Sequence, residues 1–213
     1  MPEKIYFISG LGADKRIFSF LDLSFCEPIF IDWIAPLPKE SLQNYALRLR
    51  KPVKEESPII IGISFGGMLV TEMAKADRTM KGIIISSNKT RIEFPGRWMF
   101  AKYFPVYQWL PDSILKRIML SSKWILGAKG KEQSVLLNQI ISDADIPFTK
   151  WAIHSILNWK NEEIPDNIIH IHGTADRLLP YSLVKANYSI KSGTHLLPMD
   201  QHAELSTLLK QLI

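Results

Sequence analysis

The chain lacks most of the features that would set it apart from an ordinary globular protein. It has one cysteine, Cys26, so no internal disulfide framework is available. No apolar run approaches the ~20 residues that span a bilayer. The start, Met1-Pro2-Glu3-Lys4, passes straight into Ile5-Tyr6-Phe7-Ile8, without the basic stretch and long apolar segment of a signal peptide. The expectation is a cytoplasmic protein without a membrane span. No internal repeat or low-complexity tract occurs. With 46% hydrophobic and 22% charged residues, disorder and fibrous structure are excluded. The 213 residues fit one domain, or one domain carrying an insertion, and a chain of that size buries roughly 70% of its unfolded surface.

What is present is a rhythm of short β-branched runs: Ile5–Ile8, Ile29–Ile31, Ile59–Ile63, Gly82–Ile85, Ile168–Ile171 and, more weakly, Tyr188–Ile190. Several are apolar at successive positions, the pattern of strands buried on both faces of a parallel sheet. Helical spacing fills the intervals. Ser41 can cap a helix with Leu42, Tyr45, Ala46 and Leu49 on one face. Leu69, Val70, Met73 and Ala74 repeat the pattern, as do Leu205, Leu208, Leu209 and Leu212. The alternation predicts an α/β fold with a doubly wound, mostly parallel sheet. Residues 88–161 break the rhythm: they are rich in aromatics, and prolines at 95, 105, 111 and 147 cut them into short helices. Asp145 before Pro147 marks the start of the last one. The expected division is a core of residues 1–87 and 162–213, with 88–161 as a helical lid over the C-terminal edge of the sheet.

Three motifs carry chemistry. Ile59-Ile60-Ile61-Gly62-Ile63-Ser64-Phe65-Gly66-Gly67 runs a buried strand into G-x-S-x-G and then a helix. A serine at such a turn has a strained backbone and an exposed hydroxyl, and the flanking glycines allow close backbone packing. The alternative is an ordinary glycine-rich strand-to-helix turn. His170-Ile171-His172-Gly173-Thr174-Ala175-Asp176 puts a carboxylate, Asp176, in the loop after a late strand. Its plainer reading is a turn aspartate bonding its own backbone. A metal reading of His170, His172 and Asp176 lacks the rest of a zinc site. Gly193-Thr194-His195 places a histidine after the last strand. His202 competes with His195, but it falls at the start of the terminal helix. His154 lies in the insertion. Ser9-Gly10-Leu11-Gly12 follows the first strand, where the Leu11 and Phe65 N–H groups could both face a developing oxyanion. The first and third strands flank the point where strand order reverses, the usual ligand crevice in such sheets.

Together these residues resemble the α/β-hydrolase superfamily, and more narrowly its small lidded esterases of the carboxylesterase and carrier-protein methyl-esterase type. Gly62-Ile63-Ser64-Phe65-Gly66 is similar to the nucleophile elbow, His172-Gly173-Thr174-Ala175-Asp176 to the acid loop, and Gly193-Thr194-His195 to the base loop. The resemblance implies a serine hydrolase acting through an acyl-enzyme, with Ser64 as nucleophile, Asp176 as acid and His195 as base, and no metal or other cofactor. The oxyanion segment begins Ser9-Gly10 where the family usually has His-Gly. The two strands that usually precede it are absent, which predicts a six-stranded sheet. Trp98, Phe100, Trp124 and Trp151 are the candidates for lining an acyl pocket; aromatics that merely pack a lid are the alternative. A thioesterase or acyltransferase on the same residues, or a ligand-binding protein without turnover, are the other function classes.

Charge is unevenly spread. From Arg91 to Glu132, eight basic residues against three acidic ones leave a net charge of +5, the formal charge of the whole chain. A basic lid would steer an anionic partner toward the site, and the resemblance points to an acidic acyl-carrier protein. Solvated faces of short helices are the simpler reading. No nucleic-acid-binding motif accompanies the charge, and the substrate the resemblance implies is a small-molecule acyl ester.

Overall fold

A computed structural model describes residues 2–96, 98–128 and 130–213, without the side chains of Met99 and Phe100. The strands are β1 (Lys4–Ile8), β2 (Glu27–Ile31), β3 (Ile59–Ile63), β4 (Lys81–Ile85), β5 (Ile168–Gly173) and β6 (Tyr188–Ile190). They form one six-stranded sheet in the order β2-β1-β3-β4-β5-β6, with every neighbouring pair parallel. Strand order reverses between β1 and β3, as the sequence predicts. The helices are α1 (Leu42–Arg50), α2 (Phe65–Ala76), α3 (Trp98–Tyr103), α4 (Asp112–Ser121), α5 (Lys123–Leu126), α6 (Lys131–Asp143), α7 (Ile146–Leu157), α8 (Leu197–Asp200) and α9 (His202–Leu212).

The unbroken apolar runs have a direct cause. Successive side chains in a strand point to opposite faces, and here both faces are covered. Ile5, Phe7, Ile59 and Ile61 enter one core, closed by Phe18 and by Leu205 and Leu209 of α9. Tyr6, Ile8 and Ile60 enter the other, closed by α1 and α2. Each fully buried isoleucine contributes about 2–3 kcal/mol relative to exposure. Strand β2 bonds only to β1, which tolerates Pro28 because an edge residue needs no second hydrogen-bonded neighbour.

Local signals also hold. The Ser41 hydroxyl accepts the Asn44 N–H at 3.2 Å, and Leu42, Tyr45, Ala46 and Leu49 are all buried. The Asp145 carboxylate accepts the Phe148 N–H at 3.0 Å and starts α7. Between β4 and β5 the described residues form helices and no strand. These helices share both cores. Leu137, Ile140 and Ile141 of α6 join the first, while Phe148 and Ala152 of α7 join the second. The Phe148 ring lies 5.0 Å from Trp33 and extends the core beyond the sheet. Among the described residues no helix is long and apolar enough to cross a membrane.

The turn from β3 into α2 brings backbone close against backbone near the sheet edge. A Cβ on Gly62 would stand 2.4 Å from the Gly66 carbonyl oxygen, and one on Gly66 would stand 2.3 Å from that of Ser9 and 2.5 Å from that of Ile8. The first turn of α2 therefore rests directly on the end of β1. Gly96, by contrast, has no atom within 4 Å of the corresponding position. Gly66→Ala should destabilise the fold by about 3 kcal/mol, an overpacking cost with no side chain able to yield. Gly96→Ala should stay within about 0.5 kcal/mol of the parent. Urea unfolding of the two variants checks the contrast.

Candidate active site

Ser64 sits between β3 and α2 with φ 51° and ψ −115°, a conformation serine adopts at a cost of about 1–3 kcal/mol. The surroundings hold it there. Its N–H donates to the Ile85 carbonyl at 2.9 Å, and its own carbonyl accepts the Ser87 hydroxyl at 2.7 Å. The side chain is left above the C-terminal edge of the sheet.

Two further loops reach the same edge. Asp176 follows β5 and His195 follows β6, and the Ala175 N–H donates to the Gly193 carbonyl at 2.8 Å, tying the loops together. His195 Nδ1 stands 2.8 Å from Asp176 Oδ2, and His195 Nε2 stands 2.9 Å from the Ser64 hydroxyl. The other Asp176 oxygen accepts the N–H groups of Leu178 and Leu179 at 2.9 and 2.8 Å. Burial opposes the Asp176 charge, but the pull of His195 and these donors outweighs it and holds the carboxyl below its ordinary value. A charged Asp176 accepts a hydrogen bond from the Nδ1–H, which leaves Nε2 free to accept from Ser64. The structure thus brings together the three residues that the motifs single out.

A buried histidine pair stands behind the acid. His172 Nε2 donates to the Leu179 carbonyl at 2.8 Å and lies 3.4 Å from Asp176 Oδ2. That bond leaves His172 Nδ1 as the acceptor of the His170 Nε2–H, 3.0 Å away. Sequence reasoning places the two on one sheet face but misses this relay. Among the described residues no group of three or more potential ligands could hold a metal ion.

Ser64 opens into a cavity of about 420 Å³ whose floor includes Leu11, Phe65 and His195. Phe65 is the first residue of α2, where the N–H has no acceptor within the helix. Gly10 lies against Ser64, where a Cβ on the glycine would stand 3.4 Å from the serine Cβ, so the Ser9–Gly12 backbone passes beside the hydroxyl. The expected aromatic wall is mostly elsewhere. Trp98 lines the cavity. Trp151 packs on Tyr45 at 4.5 Å and donates to the Glu40 carbonyl, and Trp124 is 64% exposed. The Phe100 side chain lies outside the described residues. Most of the remaining wall is aliphatic, including Leu115 of α4 and Ile140 and Ile141 of α6, with Met119 of α4 beside them. Leu115 and Met119, four residues apart, share one helical face, and that spacing is the signal in the sequence that points to them. His202 is exposed beside Phe20, and His154 contacts Tyr107 and Gln108; neither belongs to the cluster.

The histidine pair has a consequence for stability. Burial, reinforced at His170 by the neighbouring His172, pushes His170 far down from its ordinary value of 6.5, and burial also lowers His172. The folded chain keeps both neutral, so their contribution is complete above pH 6.5 and is lost as the pH falls below it, where only the unfolded chain takes the protons. Stability should therefore fall between pH 7.5 and 5.5, with His170 contributing more than His172. Asp176 acts only at lower pH, below 3.8. Urea midpoints at the two pH values should fall less for His170→Gln than for the parent.

No protein-family model matches the sequence, and no curated protein matches it. Solved structures do. A carboxylesterase structure from the ammonia-oxidizing thaumarchaeon Nitrososphaera gargenis superposes with a TM-score of 0.74 at 15% identity, covering 99% of this chain and 89% of that one. A lipase-esterase related protein from Clostridium acetobutylicum gives 0.70 at 16% identity, covering 100% and 95%. An N-acyl homoserine lactonase complexed with N-butanoyl homoserine gives 0.70 at 15%, covering 100% and 89%. Likeness along whole chains at such low identity defines architecture: this chain has the α/β-hydrolase fold of the small esterases.

Proposed function

We propose that the chain is a serine hydrolase that cleaves a carboxylic ester through an acyl-enzyme. The observation that carries this reading is the continuous set of contacts from Asp176 through His195 to Ser64, ending at the floor of an apolar cavity. Serine alcohol is a weak nucleophile until a base takes its proton, and a histidine is such a base only in the right tautomer. Asp176 holds that tautomer and stabilises the imidazolium that forms.

His195 Nε2 takes the Ser64 proton as Oγ attacks the acyl carbonyl. The oxyanion accepts the N–H groups of Leu11 and Phe65, with the partial positive charge at the start of α2 added. The imidazolium then gives its proton to the leaving alkoxide as the carbonyl re-forms. Water attacks the acyl-enzyme, His195 takes the water proton and returns it to Ser64 Oγ, and the acid is released. Residues 88–161 act as the lid, with the aliphatic sides of α4 and α6 excluding bulk water and holding the acyl chain. Esterases and a lactonase among the similar structures favour an ester over other acyl groups.

Ser64→Ala should lower kcat by roughly 10⁴–10⁶ with folding intact. Asp176→Asn should lower it by about 10³–10⁴ with little change in KM, because the wrong tautomer then dominates. Initial rates on a nitrophenyl ester test both, and His202→Ala, retaining the parent rate, is the control. Chain length gives a separate test. Each methylene entering the cavity contributes about 0.8 kcal/mol, so kcat/KM should rise about fourfold per methylene from acetate until the cavity is filled. A flat series would contradict an apolar acyl site.

A further inference from the structure

The helices that wall the cavity also carry an outward apolar face. Nine of the fourteen exposed large apolar side chains among the described residues lie between Ile92 and Val135. α3 turns Trp98 to the cavity, and Tyr103, at its other end, is 73% exposed; α5 turns Ile125 inward and exposes Trp124. In the segment joining α3 to α4, Phe104 and Trp109 are 73 and 76% exposed. Large aromatics at such exposure are costly in water unless something covers them. The indoles of Trp33, Trp151 and Trp159 each donate to a protein acceptor. Those of Trp109 and Trp124 donate to none among the described residues. An apolar ring with an unused N–H suits a boundary between hydrocarbon and water.

The overlapping stretch from Arg91 to Glu132 carries the net charge of +5. Arg91 is paired with Glu162, but no described carboxylate pairs with Lys102, Arg117 or Lys131. Cations interleaved with exposed aromatics match an anionic lipid surface, where phosphates take the cations and the headgroup boundary takes the rings. One residue links this face to the site. Ile118 lines the cavity and is 46% exposed, so the apolar wall continues to the outer face. That continuity favours a lipid surface over an acidic carrier protein.

We infer that the outer face of α3, α4, α5 and the α3–α4 connection docks on an anionic lipid surface. As a source of substrate, that surface depends on the esterase reading, because esters with apolar acyl chains reside there. Docking itself does not depend on catalysis, so binding and hydrolysis are measured separately.

The protein should co-sediment with mixed phosphatidylcholine–phosphatidylglycerol vesicles and much less with pure phosphatidylcholine. Tryptophan emission should shift to the blue on binding. Binding should weaken as salt shortens the Debye length from about 30 Å to about 8 Å. Lys102→Glu with Arg117→Glu should reduce partitioning at least about 25-fold, about fivefold for each cation lost. Phe104→Ser with Trp109→Ser should reduce it without changing hydrolysis of soluble nitrophenyl butyrate. Failure of the parent to bind anionic vesicles overturns the proposal, as does binding unchanged in both double variants. A dimer that protects Trp109 from a soluble quencher, or binding of an acidic protein with no vesicle binding, overturns it as well. Loss of hydrolysis in Ser64→Ala with vesicle binding retained separates the surface from the chemistry.

Discussion

The contact on which the site depends is the seating of the first turn of α2 on the end of β1. Gly66 allows it, since a Cβ there would stand 2.3 Å from the Ser9 carbonyl oxygen, and Gly62 allows the turn that leads into it, since a Cβ there would stand 2.4 Å from the Gly66 carbonyl oxygen. Ser64 sits inside that turn with a φ of 51°. Strain of this kind persists only where the surroundings over-determine it. Here the Ile85 and Ser87 bonds and the buried strands on either side do so. An all-parallel sheet then supplies the rest of the geometry. Its strands all end on one edge, so loops after β3, β5 and β6 deliver Ser64, Asp176 and His195 to one place.

Electrostatics sort the polar groups at that edge. Asp176 keeps its charge in a buried position because its oxygens meet two backbone N–H groups and His195. The histidine pair behind it stays neutral, so no second buried charge competes for the carboxylate. In front of Ser64 the cavity is almost wholly apolar. One charge, well satisfied, therefore faces a region of low dielectric, where hydrogen bonds to a developing charge gain strength.

Much of this was legible in the sequence, for reasons that can be named. Runs such as Ile59–Ile63 leave no polar face and so announce a doubly covered strand, and all six predicted strands form. Ser64, Asp176 and His195 stood out because each sits in a glycine-bearing loop directly after a strand. The cavity wall was legible only in part. Trp98, Phe100, Trp124 and Trp151 are aromatics that serve equally to line a pocket or to pack a lid, and the helix face each one occupies, not its size, decides which. Trp151 went to the Tyr45 side and Trp124 to solvent, while the quieter Leu115 and Ile140 took the wall. The His170–His172 bond was invisible because it depends on ring orientation within a buried strand. The packing of α6 and α7 into both cores was equally hidden, since an aromatic-rich segment reads the same whether it covers a core or joins it.

The central claim is that Ser64 is the nucleophile. Reaction of the purified protein with a fluorophosphonate, followed by peptide mapping by mass spectrometry, tests it most directly. The account predicts one adduct per chain, on Ser64, formed in step with the loss of ester hydrolysis. An adduct on another residue, or full hydrolysis by protein labelled at Ser64, would contradict it.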